Sequence, residues 1–473
     1  TRRTGGETRK KQIKTSYEMI HTKLFSLILT AVCLLSCSSG SGNTPVAPGE
    51  PGGGEPERPV QNYVTIEPEV QSTAVSVVIG YEVRNLEELK NPGCGVCWNT
   101  AGNPTVSGMH QDGPALLSTS REMKQVISNA LLEYGQTYSF RAYVRSGAKV
   151  YYSDEVKGAL GREPEALTFN WTPVTSSALP SSVSVYKTTD PLNGHAFNAW
   201  YAVADLSQGE VEVKVNIPPT LQTIDRQAAA DAKCCVLVNG AYFLTTTTEG
   251  TNLGLSVVNG KEYGRVSDYR GSLRPAHPEY DTYYPATRGI FGVDHSGRPA
   301  VYWVGGLSVN YYFERPLPSL IGEELYAPVS VSLPAPASAW LPKYAVSAGP
   351  VLLYDGKCPF DFTLTGRGEE YYLHNYEMIP YDIFNAGVSP DRTAVGYTAD
   401  GKVILFVCDG CYAQSGGATL TELAMIMKGL GCVGAVNLDG GGSTGMMVGD
   451  EHVNDITTGG NRAVKSTIGF YRK

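Results

Sequence analysis

The sequence predicts an N-terminal all-β sandwich followed by an α+β domain with a mixed β-sheet and few helices. Three observations support this fold class. The 473 residues include 53 Gly and 29 Tyr, a composition that favours strands and turns. Apolar and polar residues alternate with period two in several short segments, whereas helical periodicity is confined to a few. A chain of this length is also expected to contain two or three domains.

Residues 1–37 have the pattern of a lipoprotein signal peptide and leader. Lys23 precedes an apolar run of about a dozen residues, which is too short to span a bilayer and is typical of a signal peptide. Leu34-Leu35-Ser36-Cys37 resembles a bacterial lipobox, with a plain secretory signal as the alternative. We therefore expect a bacterial cell-envelope protein, lipid-anchored to the membrane at Cys37 and either periplasm-facing or surface-exposed.

The charge balance argues against nucleic acid as a partner. The formal net charge is −8, and it becomes −13 without residues 1–37, which hold seven basic and two acidic side chains. The sequence contains no basic stripe that could follow a phosphate backbone. The same acidic surface disfavours binding to anionic lipid head groups, so membrane association is expected to depend on Cys37.

Residues 38–60 are rich in Gly, Ser and Pro and predict a flexible linker. Residues 61–162 then show strand patterns at 75–79, 137–144 and 150–153. The segment from Leu132 to Val144 resembles a fibronectin type III-like module, in which a Tyr near the penultimate strand fixes the sandwich corner. We expect a spacer, with a carbohydrate-binding module as the alternative.

Residues 165–473 predict the α+β domain. A helix is expected over Leu221–Lys233, before a buried strand at Cys235–Val238. A second helix is expected over Thr419–Leu430, where Thr419 and Glu422 have the spacing of a capping box. The apolar run at 434–438 predicts another buried strand.

The loop after that last strand is the strongest candidate for a catalytic site. It carries one carboxyl group, Asp439, followed by three glycines and two hydroxyls: Gly440, Gly441, Gly442, Ser443 and Thr444. Consecutive glycines allow positive φ and bring backbone N–H groups close to an anion. An acid beside such a loop suits the hydrolysis of a phosphorylated substrate, although a tight turn with a capping Asp would have the same pattern.

Polar side chains elsewhere could complete this site. Arg392, followed by Thr393, and Arg462, preceded by Asn461, each present a planar guanidinium that matches phosphate oxygens. Asn239 follows a strand, at a usual place for ligand-binding groups. Surface ion pairs for the arginines and a simple turn for Asn239 are the structural alternatives.

These segments resemble the phosphodiester glycosidase family. Six motifs occur in the family's order: 239–243 (Asn-Gly-Ala-Tyr-Phe), 348–352 (Ala-Gly-Pro-Val-Leu), 391–396 (Asp-Arg-Thr-Ala-Val-Gly), 419–424 (Thr-Leu-Thr-Glu-Leu-Ala), 437–444 (Asn-Leu-Asp-Gly-Gly-Gly-Ser-Thr) and 461–462 (Asn-Arg). The first motif usually reads Asn-Gly-Gly-Phe-Phe, and a Pro is common where Ala463 stands. The resemblance covers residues 165–473 and implies release of N-acetylglucosamine from a sugar-1-phosphodiester.

We expect Asp439 to be the principal catalytic carboxyl, acting as nucleophile or as base on water. Glu422 is the candidate second carboxyl, with a purely capping role as the alternative. Arg392, Thr393, Arg462, Asn239, Asn461 and the loop residues Gly440, Gly441, Gly442 and Ser443 are expected to bind the substrate.

No cofactor is required for this reaction, although Asp409 and Asp439 could together hold a divalent cation. The expected partner is a glycan or sugar-phosphate substrate. Two alternatives remain open: P–O instead of C–O cleavage, and a non-catalytic lipoprotein that binds phosphorylated glycans.

Overall fold

The computed structural model describes residues 62–113, 121–266, 269–270, 283–284, 287–305, 309–314, 339–359, 377, 390–410, 415–455 and 461–473. The predicted leader and linker, with Cys37, lie outside the described residues. Within the described ranges, the chain contains no helix of the length and apolar character needed to cross a membrane. Gln61–Lys473 forms one compact unit.

Nine strands between residues 64 and 158 form the N-terminal part: β1 (Val64–Ile66), β2 (Gln71–Ser72), β3 (Ser76–Val83), β4 (Gly93–Asn99), β5 (Met109–Asp112), β6 (Arg121–Ser128), β7 (Tyr138–Ser146), β8 (Lys149–Tyr152) and β9 (Val156–Gly158). One sheet has the order β1-β3-β2 with β6 also paired to β3, and the other has the order β5-β4-β7-β8 with β9 also paired to β7. A single apolar core that includes Val77, Trp98 and Phe140 joins them. The predicted all-β sandwich is confirmed.

Two tyrosines fix the approach to β7. The Tyr138 hydroxyl accepts a hydrogen bond from the Glu133 N–H (2.9 Å), a few residues upstream. The Tyr134 hydroxyl donates to the Ala74 carbonyl oxygen (2.7 Å). A tyrosine bonded to the backbone at this corner is the feature expected from the sequence. Membership of the fibronectin type III class remains a prediction.

Among its described residues, the C-terminal part contains twenty-two strands and two α-helices. The strands are β10 (Thr172–Val174), β11 (Val183–Thr188), β12 (Ala199–Ala204), β13 (Val211–Asn216), β14 (Cys234–Asn239), β15 (Phe243–Leu244), β16 (Thr251–Asn252), β17 (Ser256–Val258), β18 (Lys261–Tyr263), β19 (Tyr269–Arg270), β20 (Tyr283–Tyr284), β21 (Thr287–Asp294), β22 (Pro299–Gly305), β23 (Tyr311–Phe313), β24 (Pro342–Ser347), β25 (Val351–Leu353), β26 (Arg392–Thr398), β27 (Val403–Cys408), β28 (Cys432–Asn437), β29 (Met446–Val448), β30 (Glu451–His452) and β31 (Thr467–Arg472). The helices are α1 (Ile224–Ala229) and α2 (Leu420–Gly429).

Three larger sheets surround one apolar core in this part of the chain. Their strand orders are β10-β11-β12-β27-β26-β28-β25, β13-β31-β14-β29-β30 and β18-β17-β24-β21-β22-β23. The core contains Val436 and Leu438 from around β28, Val238 from β14 and Phe291 from β21. Residues from three distant segments therefore meet beside the loop that follows β28.

The β-rich α+β class is confirmed. All strand pairs among the described residues are antiparallel, which differs from the mixed sheet expected from the sequence. The reason lies in the connections. Tight turns link β21 to β22 and β26 to β27, whereas a parallel pair needs a crossover of a dozen or more residues.

The second predicted helix is confirmed almost to the residue. Thr419 caps α2: its hydroxyl accepts from the Glu422 N–H (3.2 Å), and the Glu422 carboxylate accepts from the Thr419 N–H (2.8 Å). Leu423 and Ile426 on α2 pack against Phe406 of β27. Gly431, with φ of +85°, then ends the segment in a conformation that favours glycine.

The first predicted helix is shorter than expected. Helix α1 spans Ile224–Ala229 within the predicted range 221–233. The two ends of the predicted range make hydrogen bonds outside the helix. At the first end, the Leu221 N–H donates to the Thr248 carbonyl oxygen (2.9 Å). At the other end, the Cys234 N–H closes a turn on the Asp231 carbonyl oxygen (2.8 Å).

The sandwich contacts the C-terminal part beside β25. The Lys357 ammonium donates to the Leu132 carbonyl oxygen (3.2 Å) and pairs with Glu133 (2.8 Å). The Asn129 amide donates to the Cys358 carbonyl oxygen. These bonds join the turn before β7 to the segment after β25.

Candidate functional site

Asp439 follows β28, which lies beside the edge strand β25 of the seven-stranded sheet, and precedes a short 3-10 helix at Gly441–Ser443. Its carboxylate accepts a hydrogen bond from the Gly440 N–H (3.1 Å). Burial raises the pKa of Asp439 to about 6; the Ser443 hydroxyl, the Arg462 guanidinium and the Gly440 N–H oppose that rise. The side chain keeps some solvent exposure. Asp439 is thus a partly desolvated carboxyl that is still mostly ionised at neutral pH.

Buried hydrogen bonds hold the loop that carries Asp439 in place. The Asn239 amide donates to the Asp439 carbonyl oxygen. The Asn239 amide oxygen in turn accepts from the Thr393 hydroxyl (2.6 Å) and the Gly445 N–H (3.3 Å). Thr393 also lies within hydrogen-bonding distance of the Thr444 hydroxyl (3.3 Å). Because their polar groups are engaged here, Asn239 and Thr393 position the loop.

Most backbone donors of the glycine-rich loop are also used inside the protein. The Gly441 N–H donates to the Asp391 carbonyl oxygen (2.9 Å), and the Thr444 N–H donates to the Gly441 carbonyl oxygen (2.9 Å). A Cβ on Gly440 would lie 2.8 Å from that same Asp391 oxygen, and Gly441 has φ of +57°. The glycines are therefore needed for close packing and for the turn, which differs from the expected row of N–H groups open to an anion.

The two arginines have different surroundings. Arg462 is exposed, lies over the Phe243 ring at 5.3 Å, and lowers the pKa of Asp439 through its charge. Arg392 is 4% exposed, and its Nε donates to the Ala418 carbonyl oxygen (2.9 Å). Arg462 is thus placed to meet a ligand at the surface, whereas Arg392 contributes positive charge from within.

Two predicted site residues are engaged elsewhere. The Glu422 carboxylate caps α2 and also accepts from the Asn193 amide, so the capping role accounts for it. The Asn461 amide donates to Asp225 in the first turn of α1. Asn461 therefore anchors the segment that carries Arg462, and a direct substrate contact is not needed to explain its position.

The sequence did not single out Tyr242 or Asn437 as site residues. The Tyr242 hydroxyl donates to the Gly349 carbonyl oxygen and accepts from the Asn437 amide (2.8 Å). Burial raises the pKa of Tyr242, and the charges of Asp439 and Arg392 both act on it. Tyr242 therefore lies within the electrostatic reach of both the catalytic candidate and the buried arginine. The available signal was a Tyr where the family pattern has Phe.

Glu377 is a third residue that the sequence did not indicate. It is 3% exposed, and its carboxylate accepts from the Gly289 and Val351 N–H groups. Burial raises its pKa to about 7. Both oxygens bind backbone, so the structure gives Glu377 a role in joining β21 to β25. No pattern around Glu377 could have revealed this contact.

Asp409 belongs to a separate acidic group. Its carboxylate accepts from the Asn454 amide (3.2 Å) and the Asp455 N–H (3.1 Å). Burial raises its pKa to about 7, and the charges of Asp391 and Asp455 add to the rise. Among the described residues, no group of three or more His, Cys, Asp or Glu side chains is arranged to hold a metal ion. Metal binding by Asp409 with Asp439 stays a prediction.

Residues 328–471 match the family model of phosphodiester glycosidases. An uncharacterized SPbeta prophage-derived protein of Bacillus subtilis, YomE, is 35% identical over 81 residues, and the match spans 17% of this chain and 13% of that protein.

Two solved structures are similar to the chain. One is the zebrafish N-acetylglucosamine-1-phosphodiester alpha-N-acetylglucosaminidase catalytic domain, auto-inhibited by its pro-peptide, with 19% identity, a TM-score of 0.40, and coverage of 65% of this chain and 89% of that one. The other is a hypothetical protein from Synechocystis, with 14% identity, a TM-score of 0.38, and coverage of 87% and 81%.

Proposed function

We propose that this chain is a hydrolase that releases a sugar from a glycosyl-1-phosphodiester, because its residues 328–471 match the family model of phosphodiester glycosidases. The sugar is N-acetylglucosamine or one like it. The observation that carries the proposal is Asp439: a partly desolvated carboxyl, its loop fixed from behind by Asn239, with the exposed Arg462 guanidinium acting on it.

In the proposed reaction, the Asp439 carboxylate either attacks C1 of the sugar, forming a glycosyl ester that water then hydrolyses, or takes the proton of a water that attacks C1. The bond from C1 to the phosphate oxygen breaks, and its electron pair leaves with the phosphate monoester. Such a leaving group is stable as an anion near neutral pH, so strong general-acid assistance is not required. Positioning and charge neutralisation can then supply most of the rate enhancement.

Arg462 is the proposed phosphate-binding side chain. Its guanidinium is exposed, planar and close enough to Asp439 to lower the pKa of that carboxyl. A phosphate bound there would place the adjacent C1 near the carboxylate. Arg392 would add to the positive field from its buried position, since its charge reaches Tyr242 beside Asp439.

We also propose that the protein acts in the bacterial cell envelope, anchored through Cys37. Support comes from the leader pattern of residues 1–37 and from the Gly/Pro-rich residues 38–60. Labelling with a radioactive fatty acid would test the anchor. Incorporation that is lost in Cys37→Ser is expected, and equal labelling of both proteins would refute the proposal.

A screen of synthetic glycosyl-1-phosphodiesters, with released sugar as the readout, tests the activity. Turnover by the wild-type chain, lost in Asp439→Asn, is expected. Oxygen-18 from labelled water should appear in the sugar for C–O cleavage and in the phosphate for P–O cleavage. Binding of these compounds without turnover would instead support a non-catalytic glycan-binding lipoprotein.

A further inference from the structure

Asn437 has one polar atom that no protein group satisfies. Its backbone N–H donates to the Pro350 carbonyl oxygen (3.0 Å), and its carbonyl oxygen accepts from the Gly349 N–H (2.8 Å). Its side-chain Nδ2 donates to the Gly349 carbonyl oxygen (2.9 Å) and to the Tyr242 hydroxyl (2.8 Å). The side-chain Oδ1 is buried and, within the described part of the chain, has no hydrogen-bond partner. The residue is 1% exposed.

The orientation of this amide is fixed by its neighbours. The Gly349 carbonyl oxygen can only accept, so the group facing it must be the NH2 of Asn437. Tyr242 donates its proton to that same carbonyl oxygen and accepts the second proton of Nδ2. If the amide were flipped, Asn437 Oδ1 would face the Gly349 carbonyl oxygen, and both of these atoms are acceptors. Oδ1 therefore points away from this closed ring of three hydrogen bonds.

Leaving a buried acceptor without a donor costs about 1–3 kcal/mol. The structure holds Asn437 in this arrangement with four hydrogen bonds from its other polar atoms. A donor that does not belong to the described chain, from a water molecule or from a ligand, would remove that cost.

Asn437 is the last residue of β28, and Asp439 follows it in the loop. Val436 and Leu438 point into the core between the sheets, whereas Ala435 packs in the second core with α2. Because side chains alternate along a strand, Asn437 lies on the face of Ala435. Its amide binds the Tyr242 hydroxyl, and the charge of Asp439 acts on that same hydroxyl, so the amide and the carboxyl lie on either side of one tyrosine.

Ser443 provides a second observation on the same loop. Its hydroxyl is buried and makes no hydrogen bond of good geometry among the described residues, although it is near enough to lower the pKa of Asp439. The unpartnered acceptor of Asn437 therefore lies two residues before the carboxyl, and the Ser443 hydroxyl that acts on the carboxyl lies four residues after it. Buried polar groups without partners are rare in folded proteins, which points to a polar ligand at this position.

We propose that Asn437 Oδ1 accepts a hydrogen bond from the donor on C2 of the sugar, the N–H of a 2-acetamido group, and so makes Asn437 a specificity-determining residue. This inference rests on the proposed function, since Asp439 must act at C1 for C2 to lie beside Asn437. Tyr242 is then a positioning residue that orients the Asn437 amide. A site built to receive a buried N–H rejects analogues that lack it.

The test uses two synthetic substrates of the same shape: a benzyl phosphodiester of 2-acetamido-2-deoxyglucose, and its analogue with a 2-O-acetyl ester that lacks the N–H. Each is assayed with the wild type and with Asn437→Ala. The ratio of wild-type to variant kcat/KM is compared between substrates, because the intrinsic reactivity of each substrate cancels in that ratio. We expect the variant to lose about 10- to 100-fold on the amide and less than about threefold on the ester.

Tyr242→Phe is a second test, because it removes the orienting hydroxyl but keeps Oδ1 and the bond to Gly349. It should lose more activity on the amide than on the ester, by a smaller factor than Asn437→Ala. If Asn437→Ala does not fold, as judged by thermal unfolding, Asn437→Ser replaces it, since Ser can still donate to the Gly349 carbonyl oxygen.

Equal losses on amide and ester for the Asn437 variant would overturn the inference and leave Asn437 as a loop-positioning residue. That result would leave the proposed hydrolase function intact. Wild-type turnover of neither substrate, nor of any other glycosyl-1-phosphodiester, would overturn the proposed function and this inference with it.

Discussion

The side-chain amide of Asn239 donates a hydrogen bond to the backbone carbonyl oxygen of Asp439, 200 residues further along the chain. This bond joins the end of β14, in the five-stranded sheet, to the loop after β28, in the seven-stranded sheet. The candidate catalytic carboxyl is therefore positioned by a contact between two sheets.

Asn239→Ala should lower kcat by about 10- to 100-fold and the free energy of unfolding by about 1–3 kcal/mol, because the Asp439 loop and Thr393 both lose a buried partner. Asn216→Ala is the control. It also removes a side-chain amide that bonds to Thr467 and Tyr471, but on β13. Urea unfolding should show a loss for both variants, and steady-state kinetics a loss for Asn239→Ala alone. Similar kcat values would contradict a positioning role.

Asp439→Asn should reduce turnover of a glycosyl-1-phosphodiester by at least about a hundredfold, because the amide can neither attack C1 nor accept a proton from water. The fold should remain, since burial already disfavours the charged carboxylate. Asp400→Asn, on an exposed turn, is the control and should keep wild-type activity. An Asp439→Asn protein that keeps a tenth of the wild-type rate would exclude Asp439 as the catalytic group.

The pH profile of kcat/KM should rise through about pH 6, the pKa to which burial raises the Asp439 carboxyl, because the ionised form is the active one. Arg462→Ala removes a nearby positive charge that lowers this pKa, so its acidic limb should move to higher pH. Arg462→Lys keeps the charge and should move it less. An acidic limb that stays in place in Arg462→Ala would show that Arg462 does not act on the catalytic group.

Asp409 should make the fold more stable in acid than in mild base. Burial raises its folded-state pKa to about 7, so the folded protein holds a proton that the unfolded chain releases near pH 4. The contribution is complete below about pH 4 and is lost as the pH rises through 7, with a size on the order of 2–4 kcal/mol. Urea unfolding at pH 5 and pH 8 should give a smaller difference for Asp409→Asn than for the wild type. If the stability difference between pH 5 and pH 8 is the same in both proteins, groups other than Asp409 cause it.

Glu422→Gln should keep wild-type kcat, because Gln also completes a capping box. Glu422→Ala should lower the free energy of unfolding by about 0.5–2 kcal/mol through loss of the cap, with kcat unchanged. Thermal unfolding and turnover measured on the same preparations separate the two effects. A large fall in kcat for Glu422→Gln with unchanged stability would restore Glu422 as a catalytic carboxyl.

The sequence alone determined the local features of this protein. The α2 capping box, the strand before Asp439 and the glycine loop after it were all predicted, because each depends on residues a few positions apart. Strand patterns likewise predicted the sandwich before residue 162 and the β-rich domain after it. Ordered motifs also indicated the resemblance to phosphodiester glycosidases, whose family model matches residues 328–471, because such a signature lies in the sequence itself.

Only the tertiary structure decided which of the candidate side chains form hydrogen bonds within the protein and which groups are their partners. Asn461 binds Asp225, and Glu422 caps α2. Tyr242 and Asn437, in contrast, lie beside Asp439. The reason is physical: partners 195 residues apart, such as Tyr242 and Asn437, meet only because strands of different sheets share one core. The spacing of residues along a strand predicts the face on which a side chain lies, but not the group that it meets there.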